Sequence, residues 1–167
     1  LPGAGHWSDR LAVFDLETTG VDVTTSRIVT AHIGVIGPDG EQLESWSWLA
    51  DPGVEIPAGA TAVHGITTER ARAEGRPARE VVSEIVDALR ALLARPLPLV
   101  VYNAAYDLSL LEHEARRHGV EPLASPAPVV DPLVIDKAVD RYRRGKRTLE
   151  AAAAHYGVVL TGAHDAA

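Results

Sequence analysis

The stretch Leu11-Ala12-Val13-Phe14-Asp15 constrains this chain more than any other, because its apolar residues fall on both sides of an extended backbone. A strand alternates its side chains between two faces, so such a run is expected in the middle of a sheet, covered on each side. Asp15 and Glu17 close the run two residues apart. The period of two points both carboxylates to one face, with about 7 Å between their backbones. Two acids at the end of a buried strand call for a cation, as in metal sites built from carboxylates, and the competing expectation is a strand end with solvated acids. The same Asp-x-Glu spacing recurs at Asp39-Gly40-Glu41, but there it straddles a turn, where acids are ordinarily solvated.

The rest of the chain supplies partners for that strand. Ile28 to Ile36, with Val29, Ala31, Ile33 and Val35 on one face, then Gly37-Pro38-Asp39-Gly40, then Glu41 to Leu49 with Trp46 and Trp48 sharing a face, reads as an antiparallel hairpin. Residues 51 to 66, rich in Pro, Gly and Ala, read as an ordered loop. Val82, Ile85, Val86, Leu89 and Leu93 recur at helical spacing and predict an amphipathic helix over Ala78 to Leu93. The apolar run Leu97 to Tyr102 predicts a second buried strand, and Asn103, a good N-cap, opens a helix to about His118. Val129 to Asp131 is a short strand candidate, followed by helical stretches near Leu133 to Val139 and Thr148 to Tyr156. The order β-β-β-α-β-α-β-α, antiparallel first and parallel later, predicts an α/β fold with one mixed five-stranded sheet flanked by helices, residues 1–167 forming a single domain.

Charge and composition exclude several classes. With 16 Lys and Arg against 23 Asp and Glu, the net charge is −7, and the long-range field repels polyanions. Any nucleic-acid contact must therefore rest on local basic patches or on bound cations. The absence of Cys removes disulfides, a thiolate nucleophile and cysteine metal sites, and fits a reducing compartment. No apolar run approaches the roughly 18 residues of a membrane span, and Leu1 to Arg10 lacks a signal-peptide core, so no membrane association and a cytoplasmic location are expected. There is no Met, even at position 1, and the start of the chain is expected to be trimmed. Glycine-rich phosphate loops and the Gly-x-Ser-x-Gly elbow are missing, which leaves nucleotide cofactors and serine hydrolysis without support.

Three further features invite a functional reading beside an ordinary one. Asp107 falls in the first turn of the predicted helix, where the helix dipole favours acids anyway. If the preceding strand runs parallel to the first, Asp107 reaches the same sheet end as Asp15 and Glu17, the crevice where open α/β sheets bind ligands. Three converging carboxylates would hold Mg²⁺ or Mn²⁺. His64 in the loop reads equally as a locally bonded turn residue, and His164 near the chain end as a solvated one. Five of the seven residues from Arg141 to Arg147 are basic, which suits either phosphate contact or a solvated loop.

Taken together, Asp15-Leu16-Glu17-Thr18-Thr19-Gly20, Val63-His64-Gly65-Ile66-Thr67, Tyr102-Asn103-Ala104-Ala105-Tyr106-Asp107, Gly145-Lys146-Arg147-Thr148-Leu149-Glu150 and His164-Asp165-Ala166 resemble the DEDD 3′-to-5′ exonucleases. The likeness is to their DnaQ-like, histidine-bearing branch, which includes the proofreading epsilon subunit of bacterial DNA polymerase III, and it covers nearly the whole chain in order. It implies an RNase H-like sheet and a two-cation site with Asp15, Glu17 and Asp107 as ligands. It also implies that Thr18, His64, Asn103 and the backbone at Leu16 surround the terminal nucleotide, with His164 as general base. The implied activity is hydrolysis of single-stranded DNA from its 3′ end to nucleoside 5′-monophosphates, in proofreading or repair, with a DNA polymerase subunit as a candidate partner. An RNA-trimming exonuclease of the oligoribonuclease or RNase T kind, and a non-catalytic binding module of the same fold, are the alternatives. A branch that uses Tyr four residues before the last Asp fits poorly, because Leu160 stands four beyond Tyr156. The family's last metal-binding Asp would fall at position 169, past Ala167, so the native chain is expected to continue. Asp165, beside His164, is a poor substitute, while Asp131, Asp136 and Asp140 remain open as other acids.

Overall fold

The computed structural model describes residues 6–160. The first strand, β1 (Leu11–Thr18), lies in the interior of a mixed sheet. It pairs antiparallel with β2 (Ile28–Ile36), which pairs antiparallel with β3 (Gln42–Asp51). On its other side β1 pairs parallel with β5 (Leu99–Val100), through Ala12 opposite Leu99 and Val13 opposite Val100, and β5 pairs parallel with β6 (Val129–Val130). The five expected strands are all present. The sheet has a sixth, β4 (Arg76–Pro77), only two residues long and parallel to the end of β3, giving the order β4-β3-β2-β1-β5-β6. A strand of two residues, one of them Pro, carries no alternation that a sequence reading could detect.

The main helix α3 (Ala78–Leu93) has the bounds its periodicity predicts and buries Val81, Val82, Ile85, Val86, Leu89 and Leu92. It packs on α4 (Ala104–Arg117), β2 and β3, and the resulting core includes Ala12, Phe14 and Leu16 of β1. The expectation that β1 is covered on both faces is corrected. Phe14 and Leu16 are buried, but Leu11 and Val13 are half-buried and Asp15 is exposed. One face of β1 thus makes the core while the other opens at the strand's carboxyl end, which is where the two acids emerge.

Residues 51–66 are not simply a loop. They contain α1 (Ala58–His64), and α2 (Thr68–Glu74) follows, capped by the Thr67 side chain accepting from the Arg70 amide. Helix α1 buries none of its residues, so it has no apolar stripe for a periodicity search to find. The placement of Val29 beside Ala31 is also corrected. A register shift sets Thr18 opposite Ile28 while Glu17 stays opposite Thr30, leaving Val29 as an extra residue. Val29 accordingly packs with Ile56 and Ala71 in a small second cluster, whereas Ile28 joins the main core. Such bulges bend and re-aim a strand, and this one lies against the carboxyl end of β1.

The chain after β6 forms α5 (Pro132–Val139) and α6 (Leu149–His155). Asp131 ties this part to the sheet. Its carboxylate accepts from the amides of Asn103 at 3.0 Å, Ala104 at 2.9 Å and Leu133 at 2.9 Å, so it caps α4 and α5 together. Asn103 does stand at the N-terminus of α4, but with φ 59° and no side-chain cap bond; the capping oxygens come from Asp131 instead. Asp131→Ala is therefore expected to destabilise the chain by about 1–2 kcal/mol, the usual cost of losing an N-cap, in urea unfolding. Stability unchanged within about 0.3 kcal/mol would show that the bracket carries no energy.

Candidate active site

Because β5 is parallel to β1, the helix that follows it starts at the carboxyl end of β1. Asp107 lies in the first turn of α4, buried, and its Oδ1 accepts the Leu16 amide at 3.1 Å. Burial pushes its carboxyl up to about 8, with the charge of Asp15 as the next cause; Glu17 adds a smaller rise and the Leu16 amide opposes it. The three acids singled out from the sequence are thus electrostatic neighbours at one sheet end. Among the described residues, no group of three or more His, Asp and Glu closes into a set able to hold a metal ion. In kind, the donors suit a hard divalent cation, being carboxylate oxygens, one of which burial and then the charge of Asp15 hold protonated near neutral pH.

Beside the acids opens a cleft of about 820 Å³ lined by Leu16, Glu17, Thr18, Thr19, Gly20, Val21, Pro57, Gly59, Ala60, Val63, His64, Asn103 and Tyr106. The four residues associated with the terminal nucleotide, Leu16, Thr18, His64 and Asn103, share this one wall. His64 ends α1, and Gly65 takes up the left-handed backbone (φ 77°) that stops the helix there. Its Nδ1 accepts the Ile66 amide at 3.2 Å, so the proton sits on Nε2, which donates to the Thr18 carbonyl at 3.2 Å. Burial pulls the imidazole below its ordinary range, against the opposing effect of that carbonyl. His64 is a neutral ring that ties α1 to the end of β1.

Tyr106 is a member of the site that residue-level reasoning did not assign a role. Its hydroxyl meets Thr18 Oγ1 at 2.6 Å and donates to the Gly20 carbonyl, while Thr18 Oγ1 reaches the same carbonyl at 2.8 Å. Its signal was its place, immediately before Asp107 in a helix whose first turn faces the strand end. His164 and Asp165 lie outside the described residues. The other open acids are accounted for. Asp131 is the double cap, and Asp140 lies 3.6 Å from His155.

Asp136, buried, accepts from Arg143 at 2.7 Å, Arg147 at 2.6 Å and the Tyr156 hydroxyl at 2.8 Å. Burial alone would raise its carboxyl, but Tyr156, Arg147 and Arg143 outweigh it and hold the group below the usual range. The reading of the whole Arg141–Arg147 stretch as a phosphate-contact surface is thereby corrected in part. Arg143 and Arg147 face inward, and Arg141, Arg144 and Lys146 are exposed.

With this geometry, comparison with known proteins is informative. Over 166 residues the chain is 30% identical to the DNA polymerase III PolC-type of Clostridium perfringens (strain 13 / Type A), covering 97% of this chain and 11% of that protein. It is 30% identical over 150 residues to a DNA polymerase III subunit epsilon-like protein of Rhodobacter capsulatus, covering 89% of this chain and 20% of that one. The chain thus spans a fifth or less of these relatives. Exonuclease I shares the fold with a TM-score of 0.78 at 20% identity, over 94% of this chain and 37% of that one. Escherichia coli exonuclease I in complex with a dT13 oligonucleotide gives 0.76 at 19% identity, over 94% and 38%. The sheet is RNase H-like, and no helix among the described residues is long and apolar enough to cross a membrane. The sequence profile of the exonuclease family matches residues 12–167, from the second residue of β1 onward, and the chain belongs to that family.

Proposed function

We propose that this chain is a metal-dependent 3′-to-5′ exonuclease that shortens single-stranded DNA and releases nucleoside 5′-monophosphates. The observation that carries the reading is the coupling of Asp15, Glu17 and Asp107 beside the cleft lined by Leu16, Thr18, His64 and Asn103. Asp15, Glu17 and Asp107 would hold two Mg²⁺ or Mn²⁺ ions. When bound, these ions supply Lewis-acid stabilisation of the charge that builds on the scissile phosphate. The Leu16 backbone, Thr18, His64 and Asn103 hold the terminal nucleotide, and the Tyr106 hydroxyl keeps the turn after β1 in place beneath it. His164 takes the proton of the attacking water, a task suited to an imidazole with an ordinary value near about 6.5.

Exonuclease I has been captured with a dT13 oligonucleotide, which supports a single strand as substrate. The PolC-type and epsilon-like relatives support work beside a DNA polymerase. The cleft lining supports cation dependence as well. It carries Glu17 and, among the described residues, no Lys or Arg, so a phosphate there needs positive charge from bound ions.

The deciding experiment digests 5′-labelled single-stranded DNA and RNA of one sequence with Mn²⁺, with EDTA, and with Asp15→Ala. Ladders that shorten stepwise from the 3′ end, abolished by EDTA and reduced at least about a hundredfold by Asp15→Ala, are the expected result. Cleavage that survives EDTA would overturn the metal, and faster loss of the RNA would move the substrate to RNA.

His164→Ala is expected to lower the rate by about 10²–10⁴ and to remove the acidic limb of the pH–rate profile. An unchanged profile would take His164 out of the base role. Linkage gives a separate test of the acid cluster. An unfolded Asp titrates near about 3.9, whereas folded Asp107 keeps its proton up to about 8. Between those values the folded chain binds more protons than the unfolded one, so stability in EDTA falls as pH rises through the window. Mn²⁺ is expected to flatten that fall, and Asp107→Asn to remove this share of it. A variant whose melting temperature tracks the parent's across pH 4–8 would show that Asp107 is not the coupled group.

A further inference from the structure

We propose that residues 141–146 form an upstream strand-binding arm, which grips the phosphates and one base of a single-stranded nucleic acid whose 3′ end occupies the cleft. What occupies the cleft rests on the exonuclease reading above; the arm itself rests on its own construction. It is fixed at its middle and just past its far end. Arg143 and Arg147 converge on buried Asp136, and Arg147 also donates to the carbonyls of Asp136 at 3.0 Å and Asp140. Gly145, with φ 104°, lets the chain turn in a conformation that any side chain would strain.

What this frame displays is unusual for a chain of charge −7. Arg141, Arg144 and Lys146 are exposed, and between the first two stands Tyr142, 87% exposed, with the Arg141 guanidinium 5.9 Å from its ring centroid. Cations beside an uncovered aromatic face are the combination that holds single strands, the cations meeting phosphates and the ring stacking on a base of any identity. The acids at the arm's base do not cancel this charge. Asp136 is outweighed by the two arginines it holds, and Asp140, 3.6 Å from His155, sets one carboxylate against the three exposed cations.

The arm is also continuous with the cleft. The Tyr102 hydroxyl donates to the Arg147 carbonyl at 2.7 Å, and the next residue, Asn103, lines the cleft. Asp131 fixes that same Asn103 by its amide. These bonds tie the arm's far end to the cleft wall, so a strand anchored in one is in a position to meet the other.

The test uses the 167-residue chain and the triple variant Arg141→Ser, Arg144→Ser, Lys146→Ser, with Tyr142→Ala as a second variant. Binding of 5′-fluorescein-labelled dT20 is followed by anisotropy in EDTA at several NaCl concentrations, with an acidic poly-glutamate peptide as competitor. Hydrolysis of the p-nitrophenyl ester of thymidine 5′-monophosphate, which fills the cleft alone, is measured with Mn²⁺. Each phosphate contact on a single strand contributes about 0.7 to the slope of log K against log salt, so the triple variant is expected to lose about 2 units of slope. Tyr142→Ala is expected to weaken binding about tenfold with the slope kept. Ester hydrolysis stays within about twofold of the parent in both variants, which also shows that they fold. An unchanged slope in the triple variant, loss of ester hydrolysis along with binding, or equal competition by poly-glutamate would each overturn the arm. A parent chain that binds dT20 through these residues but leaves the ester intact would count against the nuclease reading while sustaining the arm.

Discussion

The hydrogen bond from the Leu16 amide to Asp107, between residues 91 apart in sequence, is the contact on which the site depends. It exists because β5 runs parallel to β1, which brings the helix after β5 back to the strand end where Asp15 and Glu17 emerge. Burying a carboxyl in that position is costly unless a donor meets it, and the strand's last amides are the donors at hand. The same bond leaves Asp107 able to titrate. One oxygen is held by the backbone, yet burial and Asp15 still keep the group protonated near neutral pH. The fold thus builds a carboxyl whose charged form needs a compensating cation.

Around this contact the acids divide by what surrounds them. Glu114 is fully buried, accepts the Ile28 amide at 3.1 Å and pairs with Arg117, and Asp136 is buried against two arginines. These are structural ion pairs, each charge met by a cation of the chain itself. Asp15 and Glu17 add their charge to that around Asp107, and the PolC-type relative of Clostridium perfringens aligns with 97% of the chain around them. Placing like charges around a buried carboxyl costs stability, and the proposed function gives that arrangement a use.

How much of this was legible in the sequence follows from the kind of signal each part carries. Helix α3 was readable to the residue because Val82, Ile85, Val86 and Leu89 repeat with the helical period and all are buried. The acids on β1 were readable because a strand has a period of two and Asp15 and Glu17 respect it. The two short helices before α3 were not: α1 has no buried face, and α2 buries only Thr68 and Ala71. Asn103 was rightly set at a helix start, but its capping role belonged to Asp131, 28 residues on, a tertiary contact that no local pattern encodes. Asp131-Pro132 was itself a helix-start signal, and what it could not disclose was the second helix it caps. The bulge that separates Ile28 from Val29 was hidden for the same reason, since both residues are apolar and either register buries them.

The charge balance of the whole molecule and that of the site pose one problem at two scales. A chain of −7 repels a polyanion, and a cleft whose lining, among the described residues, carries Glu17 and no Lys or Arg does not attract a phosphate. Two remedies are available, cations of the chain and cations from solution, and on the proposed reading the fold uses them in different places. Lys and Arg beside Asp15, Glu17 and Asp107 would pair with the carboxylates and abolish the site. Basic side chains are therefore kept off the cleft wall and gathered between α5 and α6, where Asp136 holds two of them inward and leaves three facing out. Mobile divalent ions can then serve the acids while fixed charges serve the strand. Because these two sources respond differently to EDTA and to salt, the proposed affinity for a strand and the proposed chemistry on it are separable properties.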